Sequence, residues 1–397
     1  MEERRRGTSG ARAFGAAVVA IAVATVVAMA VLWPGERESV LNEGLTAPTE
    51  RAEIVSVAKD PCPPPQPGTC VTVAAAIETG NDEGAEVTLP VGSGPLLPEF
   101  RVGDEIRVSR VEAPPGAAGP ATGTPQYNFV DFERRSPMLW LALAFTALVI
   151  AFGRLRGALS LLGLAASLVV VVVFIVPAIL DGTAPLAVAV VGSMAVMLLT
   201  ISLAHGLGPK SIAAMLGTTC SLVLVALLAL LFTELTHLTG LAAGDEVALV
   251  QLGSADISLD GLLLAGMVIG ALGVLDDVTV SQSSTVLALR AADPEMGFGQ
   301  LYGRAIDVGR DHVTATVNTL VLAYVGTSLP VLLIFGSGGI GFADAVNVEL
   351  VAQEIVGTLV GSIGLIAAVP VTTALAATLA ARIPVDELPV DAHAHAH

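Results

Sequence analysis

Hydrophobic runs of membrane-spanning length occur eight times along this 397-residue chain. A helix that crosses a bilayer needs about 17–25 mostly apolar residues. The first run, Phe14–Trp33, follows a basic segment and ends without a good cleavage site, which favours an uncleaved span over a signal peptide. The seven later runs, each predicted to be a spanning helix, are Pro137–Phe152, Gly157–Leu180, Thr183–Ala204, Ser211–Phe232, Ile257–Leu275 (with the helix continuing beyond it), Val313–Phe335 and Val351–Leu379.

A different pattern fills residues 34–136, between the first and second runs. Short stretches there alternate apolar and polar residues and are separated by Gly, Pro and Asp turns, which is typical of strands. The predicted strands are Ala52–Ala58, Cys70–Ile77, Ala85–Leu89 and Arg101–Val108. They favour a small antiparallel β barrel, for example of the OB type. The predicted fold class is therefore an all-α polytopic membrane bundle of about eight helices with a small extracytoplasmic β domain.

Composition agrees with a membrane protein. Hydrophobic residues make up 54% of the chain and charged residues only 14%, whereas a soluble domain usually carries about a quarter charged residues. The formal net charge is -17, but most carboxylates lie in segments predicted to be outside the bilayer. No basic patch of the kind that binds nucleic acid is present. The predicted partner is the lipid bilayer, with no nucleic acid.

The distribution of Lys and Arg predicts the orientation, because short cytoplasmic loops carry an excess of both. The predicted cytoplasmic set is Arg4, Arg5, Arg6, Arg12, Arg154, Arg156, Lys210, Arg290, Arg304, Arg310 and Arg382, whereas the short connections around Asp181, 233–256 and 336–350 contain no Lys or Arg. We therefore predict an inner-membrane protein with residues 34–136 outside. The cytoplasmic parts are 1–13, a segment at 278–311 within the bundle 137–380, and the tail 381–397.

Two cysteines flank a Pro-rich turn in the outside segment. Cys62 and Cys70 would form a disulfide in an oxidising compartment, and the alternative is two free thiols in a loop. Cys220 lies in an apolar run and is interpreted as a packing residue. The C-terminal DAHAHAH tail is weak evidence for metal binding, so no metal or cofactor site is predicted.

Asp276 and Asp277 interrupt the apolar segment that begins at Ile257. Ionisable residues inside a membrane are functional candidates by default, because their burial is costly. The small residues Gly266, Gly270 and Gly273 would let a neighbouring helix approach closely and bury the pair. Two adjacent carboxylates that cannot both ionise cheaply are what a proton-binding site requires.

The alternative is that Asp276 ends one helix or caps the next one outside the hydrocarbon. The residues that follow are polar and include Gln282, which favours this alternative.

A second polar cluster follows in LYGRAIDVGRDHVTATVN. Asp293–Pro294 is typical of a helix start, and helical spacing then places Arg304, Asp307 and Asp311 on one face. An interfacial helix with salt bridges accounts for Arg304, Asp307 and Arg310. It accounts less well for Asp311, His312 and Asn318, which we predict to face Asp276 and Asp277.

These segments carry a resemblance to a known family. The stretches YNFVDFERRSP, ALGVLDDVTVSQSSTVLAL and LYGRAIDVGRDHVTATVNTLVLAYVGTSLPVLL resemble the YibE/F-like membrane proteins of bacteria over essentially the whole chain. That resemblance implies fold and location but no mechanism. The usage of Ala, Val, Gly and Arg indicates a GC-rich, actinobacterial source.

A weaker resemblance concerns chemistry. The region Gly261–Leu333 is similar to the proton-relay helices of resistance–nodulation–division permeases and of the SecD/SecF translocation proteins. It implies that Asp276 and Asp277 are a proton-binding pair. The chain departs from those families in having no membrane-embedded lysine, half the matching helices and no large porter domains, so Arg310, His312 or a homo-oligomer would have to complete the site.

These observations predict a proton-coupled transporter or translocation-accessory protein. The alternative is a non-transporting envelope assembly or sensing protein whose outside domain binds a membrane or envelope partner. No nucleophile–base set, phosphate-binding loop or metal motif is present in the sequence, so we do not expect an enzyme.

Overall fold

The computed structural model describes residues 2–35, 48–62, 68–94, 97–110, 127–241, 257–339 and 341–383. The chain divides into two compact units. One consists of Met1–Arg37 with Val149–His397, and the other of Glu38–Leu148.

The smaller unit is built on a five-stranded antiparallel sheet with the order β3-β2-β1-β4-β5. The strands are β1 (Thr49–Pro61), β2 (Thr69–Ile77), β3 (Glu86–Gly92), β4 (Glu105–Arg110) and β5 (Tyr127–Phe132). Four of them contain or overlap predicted strands. β5 was not predicted, because YNFVDF is short and lacks a clear alternation of apolar and polar residues.

The sheet curls around one apolar core. Alternate residues such as Ile54, Val73, Leu89 and Ile106 point inwards and are buried, as expected for strands whose successive side chains face opposite sides. The edge strands β3 and β5 approach each other without pairing, so the sheet is a curled half-barrel.

A disulfide joins Cys62 at the end of β1 to Cys70 in β2, with the two Cα atoms 4.9 Å apart. It closes the β1–β2 hairpin by covalently linking the ends of the two strands.

The larger unit is helical. Its helices are α1 (Glu2–Val31), α2 (Arg135–Val170, which begins in the smaller unit), a π-helix (Val171–Ile175), α3 (Val176–Leu180), α4 (Pro185–His205), α5 (Pro209–Leu235), α6 (Leu259–Ala292), α7 (Phe298–Ser337), α8 (Phe342–Asn347) and α9 (Glu349–Ala380). Within the described residues, seven helices are long and apolar enough to cross a membrane.

The predicted count of eight spans is not confirmed. The runs Pro137–Phe152 and Gly157–Leu180 form one 46-residue helical stretch, Arg135–Leu180. Its backbone is non-helical at Arg154, with φ 52° and ψ -131°. A straight helix of this length would extend about 70 Å, which is much longer than a bilayer is thick. The break lies in the short polar segment that sequence analysis placed between two spans.

Helix α6 is the centre of the bundle and contacts α4, α5, α7 and α9. Glycines permit close helix packing, since no side chain separates the backbones. A Cβ atom on Gly364 of α9 would overlap Val225 of α5, and one on Gly217 of α5 would overlap Thr372 of α9. The central position of α6 places its polar residues among the neighbouring helices.

Helix α6 extends into the segment 278–311, whose cytoplasmic location stays a prediction. Helix α6 continues to Ala292, and Val278, Gln282 and Val286 are buried in it. Several polar residues follow Leu275. Thr279 and Gln282 bond to other helices, whereas Ser284 and Thr285 donate to carbonyl oxygens of α6 itself and the buried Ser283 hydroxyl has no partner in the described chain.

The predicted helix start at Asp293–Pro294 is wrong. Asp293 is the C-cap of α6, and α7 begins at Phe298. The Arg290 guanidinium donates to the carbonyl oxygens of Pro294 and Met296, the latter at 2.7 Å. These hydrogen bonds close the turn between the two helices.

Candidate functional site

Asp276 and Asp277 lie inside a continuous helix. Residues Leu259–Ala292 form α6 without a break, and its N-cap is Ser258. Neither carboxylate therefore ends or caps a helix, which excludes the capping alternative. Seventeen residues of helix precede Asp276 and fifteen follow Asp277, so the pair lies near the middle of α6.

Asp276 faces α4. The Thr200 hydroxyl lies 2.9 Å from Asp276 Oδ2 and 2.9 Å from the carbonyl oxygen of Val196 in its own helix, and its single proton can be donated to either acceptor. The second carboxylate oxygen, Oδ1, is buried and has no hydrogen-bond partner within the described part of the chain. A buried acceptor without a partner is costly, by about 1–3 kcal/mol, so this oxygen has capacity for a proton or a donor.

Asp277 is the more exposed member of the pair. It lies within electrostatic range of the His312 side chain in α7. The ring nitrogen Nδ1 of His312 lies 3.5 Å from the Ser281 hydroxyl, one helical turn beyond Asp277. The structure therefore brings His312 to the same side of α6 as Asp277.

A cavity of about 680 Å³ adjoins the two carboxylates. It is bounded by α2, α4 and α6 and reaches the start of α5. The hydroxyl-bearing residues in its lining are Ser160, Ser167, Thr200, Ser281, Ser284 and Thr285. Its volume falls in the range of small-molecule sites, about 300–1,000 Å³. This carboxylate cavity combines ionisable and hydroxyl groups inside an apolar bundle.

The opposite side of α6 carries two polar residues, Thr279 and Gln282, that bond to neighbouring helices. The Thr279 and Thr218 hydroxyls are 2.7 Å apart. The amide nitrogen of Gln282 donates to the carbonyl oxygen of Ala305 and to the hydroxyl of Thr373, both at 2.7 Å. Gln282, predicted to support the carboxylates, instead holds α6 to α7 and α9.

Of the three glycines predicted to contact a neighbouring helix, Gly270 does so within the described chain and the other two do not. A Cβ atom on Gly266 or Gly273 would meet nothing within 4 Å, and one on Gly270 would lie 3.6 Å from the hydroxyl of Tyr324. Asp276 is buried by α4 on another face of the helix. The sequence pattern identified small residues correctly but could not specify which face packs.

The predicted residues of α7 separate into two groups. All three residues are exposed and none lines the carboxylate cavity, but His312 Nδ1 lies 3.5 Å from the hydroxyl of Ser281, one helical turn from Asp277. Each residue turns a helix by about 100°, so Asp311 and Asn318 point away from the direction of His312.

The predicted supporting charges of α7 lie outside the carboxylate cavity. Arg310 and Asp307 form an exposed ion pair at 2.9 Å, and Arg304 is exposed nearby. The ion pair agrees with the predicted salt-bridged helix, whose interfacial location stays a prediction.

Sequence analysis missed Thr200, Ser160 and Ser167. A threonine or serine in an apolar helix usually bonds to the carbonyl four residues earlier, as Ser167 does to Gly163. Such residues carry no sequence signal that separates a site from ordinary helix packing. Among the residues that the structure describes, no three His, Cys, Asp or Glu side chains gather into a group that could hold a metal ion.

Comparison with known proteins gives one match. The model of the family described as YibE/F-like protein matches residues 141–382. No curated protein and no solved structure matches the chain. The matched region includes α4 to α9 and both carboxylates.

Proposed function

The chain belongs to the YibE/F-like protein family, and we propose that it is a proton-coupled membrane transporter or translocation-accessory protein. In this proposal Asp276 and Asp277 bind the proton. Family membership and the apolar helices support a multi-pass membrane protein, and the coupling is inferred from the site.

One observation carries the proposal. Asp276 lies in the middle of an unbroken helix, at a polar cavity, with one oxygen bonded to Thr200 and the other without a partner in the described chain. A purely structural carboxylate at this depth would be expected to have both oxygens satisfied.

Proton binding would change the charge at the centre of the bundle. An ionised Asp276 requires hydration from the cavity or a nearby donor, whereas a protonated Asp276 is neutral and can itself donate a hydrogen bond. Electrostatic interactions are strong in this low-dielectric region. We propose that loss and gain of the proton alter how α6 packs against α7, next to His312.

Proton flux through reconstituted vesicles tests the proposal. The full chain and the variants Asp276→Asn and Asp277→Asn are incorporated into liposomes that contain a pH-sensitive dye, and a pH gradient is applied. Asparagine has the size of aspartate but cannot take up a proton at these pH values. We expect each variant to lower the flux by at least about tenfold.

Asp260→Asn is the matched control. Asp260 is exposed in the first turn of the same helix and lies outside the cavity lining, so this variant should conduct like the wild type. If Asp276→Asn and Asp277→Asn fold normally and leave the flux unaltered, the proton-relay proposal is wrong.

A second candidate function rests on the β unit. It has its own buried core and a disulfide, and the pairing of β1 with both β2 and β4 supports an OB-like fold. Such a domain suits a non-transporting assembly or sensing protein that binds an envelope partner. Under this alternative, neither Asn variant changes proton flux.

We also propose the finer topology that the basic residues indicate. Both termini would be cytoplasmic, residues 34–136 would lie outside the inner membrane, and Arg135–Leu180 would supply two spans, for eight in all. The disulfide supports an oxidising compartment for residues 62–70. We further propose that the protein forms a homo-oligomer and has no enzymatic activity.

A further inference from the structure

A second cavity, of about 840 Å³, adjoins the carboxylate cavity. The two share Ser160, Ala204, His205, Lys210 and Ser284 in their linings. All three titratable side chains that line the second cavity are basic, and they are Arg156, His205 and Lys210. We call it the basic cavity.

The backbone of α2 builds one wall. The break at Arg154 turns the chain so tightly that a Cβ atom on Gly157 would overlap the carbonyl oxygen of Val149. Only glycine permits this approach. It places Arg156 and Ser160 in the same lining as Val149 and Phe152.

A tight loop builds the opposite wall. Gly206, with φ 73°, ends α4 immediately after His205, and α5 begins at Pro209. A positive φ is favourable for glycine and costly for most other residues. The loop therefore holds His205 and Lys210, from two different helices, on one side of the cavity.

The rest of the lining is mostly apolar. Val149, Phe152, Leu287, Ala288 and Ala291 contribute hydrocarbon surface, and the side of Phe152 that faces away from the cavity is open to the surroundings, since this residue is 97% exposed. A site that combines clustered cations with an apolar wall is complementary to an anion attached to a hydrocarbon chain. It lies at the end of the bundle where the positive-inside rule predicts the cytoplasm.

We propose that the basic cavity binds a net-negative phosphate group, with the apolar wall holding the hydrocarbon of a phosphate ester such as an anionic phospholipid. Basic sites between spanning helices on the cytoplasmic side bind anionic lipid headgroups through the same physical interaction. A free phosphate would contact the same three basic side chains and leave the apolar wall uncovered. The proposal does not depend on proton coupling by the carboxylates.

Ligand-induced stabilisation of the purified full chain tests this site. In uncharged detergent, thermal unfolding is measured with phosphatidylglycerol, phosphatidylcholine or inorganic phosphate added at equal concentration. We expect phosphatidylglycerol to raise the melting temperature by about 5 °C or more through binding to the folded state, and the zwitterionic phosphatidylcholine to have no such effect. An equal shift with inorganic phosphate would identify free phosphate as the ligand. Equal responses to the two lipids, or no response to either anion, would overturn the proposal.

Charge variants test whether phosphatidylglycerol binds in the basic cavity. Arg156→Gln combined with Lys210→Gln should weaken the apparent affinity for phosphatidylglycerol by about tenfold or more, while the charge-conserving pair Arg156→Lys and Lys210→Arg should retain it. Arg304→Gln, at an exposed cation outside the cavity lining, is the matched control. A folded double Gln variant that binds the lipid as tightly as the wild type contradicts the proposal. If that variant does not fold, the wild-type comparison of the two lipids decides.

Discussion

The two faces of α6 use polar residues in different ways. On the packed face, Thr279 bonds with Thr218, and Gln282 donates to both Ala305 and Thr373. On the cavity face, Asp276 has one partner for its two oxygens and Asp277 is exposed. Both faces belong to one helix in one apolar bundle. Polarity within a spanning helix is therefore not sufficient to identify a functional residue. Incomplete hydrogen bonding alone is not sufficient either, because the buried Ser283 hydroxyl of the same helix also lacks a partner in the described chain, whereas Asp276 combines it with a carboxylate at a cavity.

The difference has a physical basis. A hydrogen bond between helices in a membrane contributes about 0.6 kcal/mol on average, with a maximum of about 1.7 kcal/mol. Such bonds give the packed face modest stability and a defined register. A carboxylate gains little stability from its position at a cavity, so its location there requires an explanation in terms of function.

The largest expected difference in stability between the faces comes from glycine substitutions. A Cβ atom on Gly309 would lie 2.5 Å from Val369 Cγ1 and 2.9 Å from the side-chain oxygen of Gln282. Val369 is β-branched and stiff, and Gln282 is held by two hydrogen bonds. Gly309→Ala should therefore lower the free energy of unfolding by about 1–3 kcal/mol, measured by denaturation in mixed detergent micelles.

Gly273→Ala is the matched variant on the cavity face, where a Cβ atom would meet nothing within 4 Å. It should raise the stability by up to about 1 kcal/mol, because alanine favours the helix over glycine. If Gly273→Ala instead destabilises the protein as much as Gly309→Ala, this face is covered by a second copy of the chain and the comparison of the two faces fails.

The sequence could predict the apolar elements well. The run Thr183–Ala204 corresponds to α4, Pro185–His205, because an apolar stretch of this length has few alternatives to a spanning helix. The packing of the inner half of α6 could not be predicted, because partners such as Thr373 lie far along the chain, 91 residues from Gln282.

The carboxylate pair itself was identified from the sequence, but its immediate partner was not. Thr200 lies 76 residues before Asp276, and nothing local marks it as different from other threonines in apolar helices. For the same reason the orientation of α7 could not be predicted, since the face that packs depends on Gly309 and Ala305 contacting α6 and α9.

Substitutions of Gln282 and Thr200 should have different effects on stability and on proton flux, and these effects are smaller than those of the glycine substitutions. Gln282→Leu removes two hydrogen bonds at similar side-chain size and should lower the free energy of unfolding by about 1–2 kcal/mol. Proton flux per folded molecule should not change, because Gln282 lies outside the carboxylate cavity. Vesicle flux is normalised to the amount of folded protein recovered after reconstitution.

Thr200→Val should show the opposite pattern, with a change in proton flux and little change in stability. It removes the hydroxyl bonded to Asp276, so it should change the pH dependence of the flux while altering stability by less than about 1 kcal/mol. The assignment of the two faces is contradicted if Gln282→Leu changes the pH dependence and Thr200→Val does not.

The smallest effect concerns a carboxylate pair that is fully satisfied. In the β unit, the Tyr127 hydroxyl lies 2.9 Å from Glu50 and 2.7 Å from Asp82, and its single proton can be donated to either carboxylate. Burial, followed by the hydrogen bonds to Asp82 and Glu50, raises the pKa of Tyr127 well above its ordinary value. An unfolded tyrosine ionises near pH 10. The stabilisation is thus complete below about pH 10 and is lost as the pH rises towards the folded-state pKa.

The absorbance of tyrosinate measures this shift directly. Subtracting the alkaline titration of the full-length Tyr127→Phe variant from that of the wild type isolates the Tyr127 phenol, whose midpoint should lie above that of a free tyrosine. The variant should also lose part of the decline in melting temperature above about pH 10. A Tyr127 midpoint near pH 10 would mean that the hydroxyl does not hold Glu50 and Asp82. In that case Glu50 and Asp82, which share the Tyr127 hydroxyl as donor, could no longer be compared with Asp276 and Asp277 of α6, which are incompletely hydrogen-bonded.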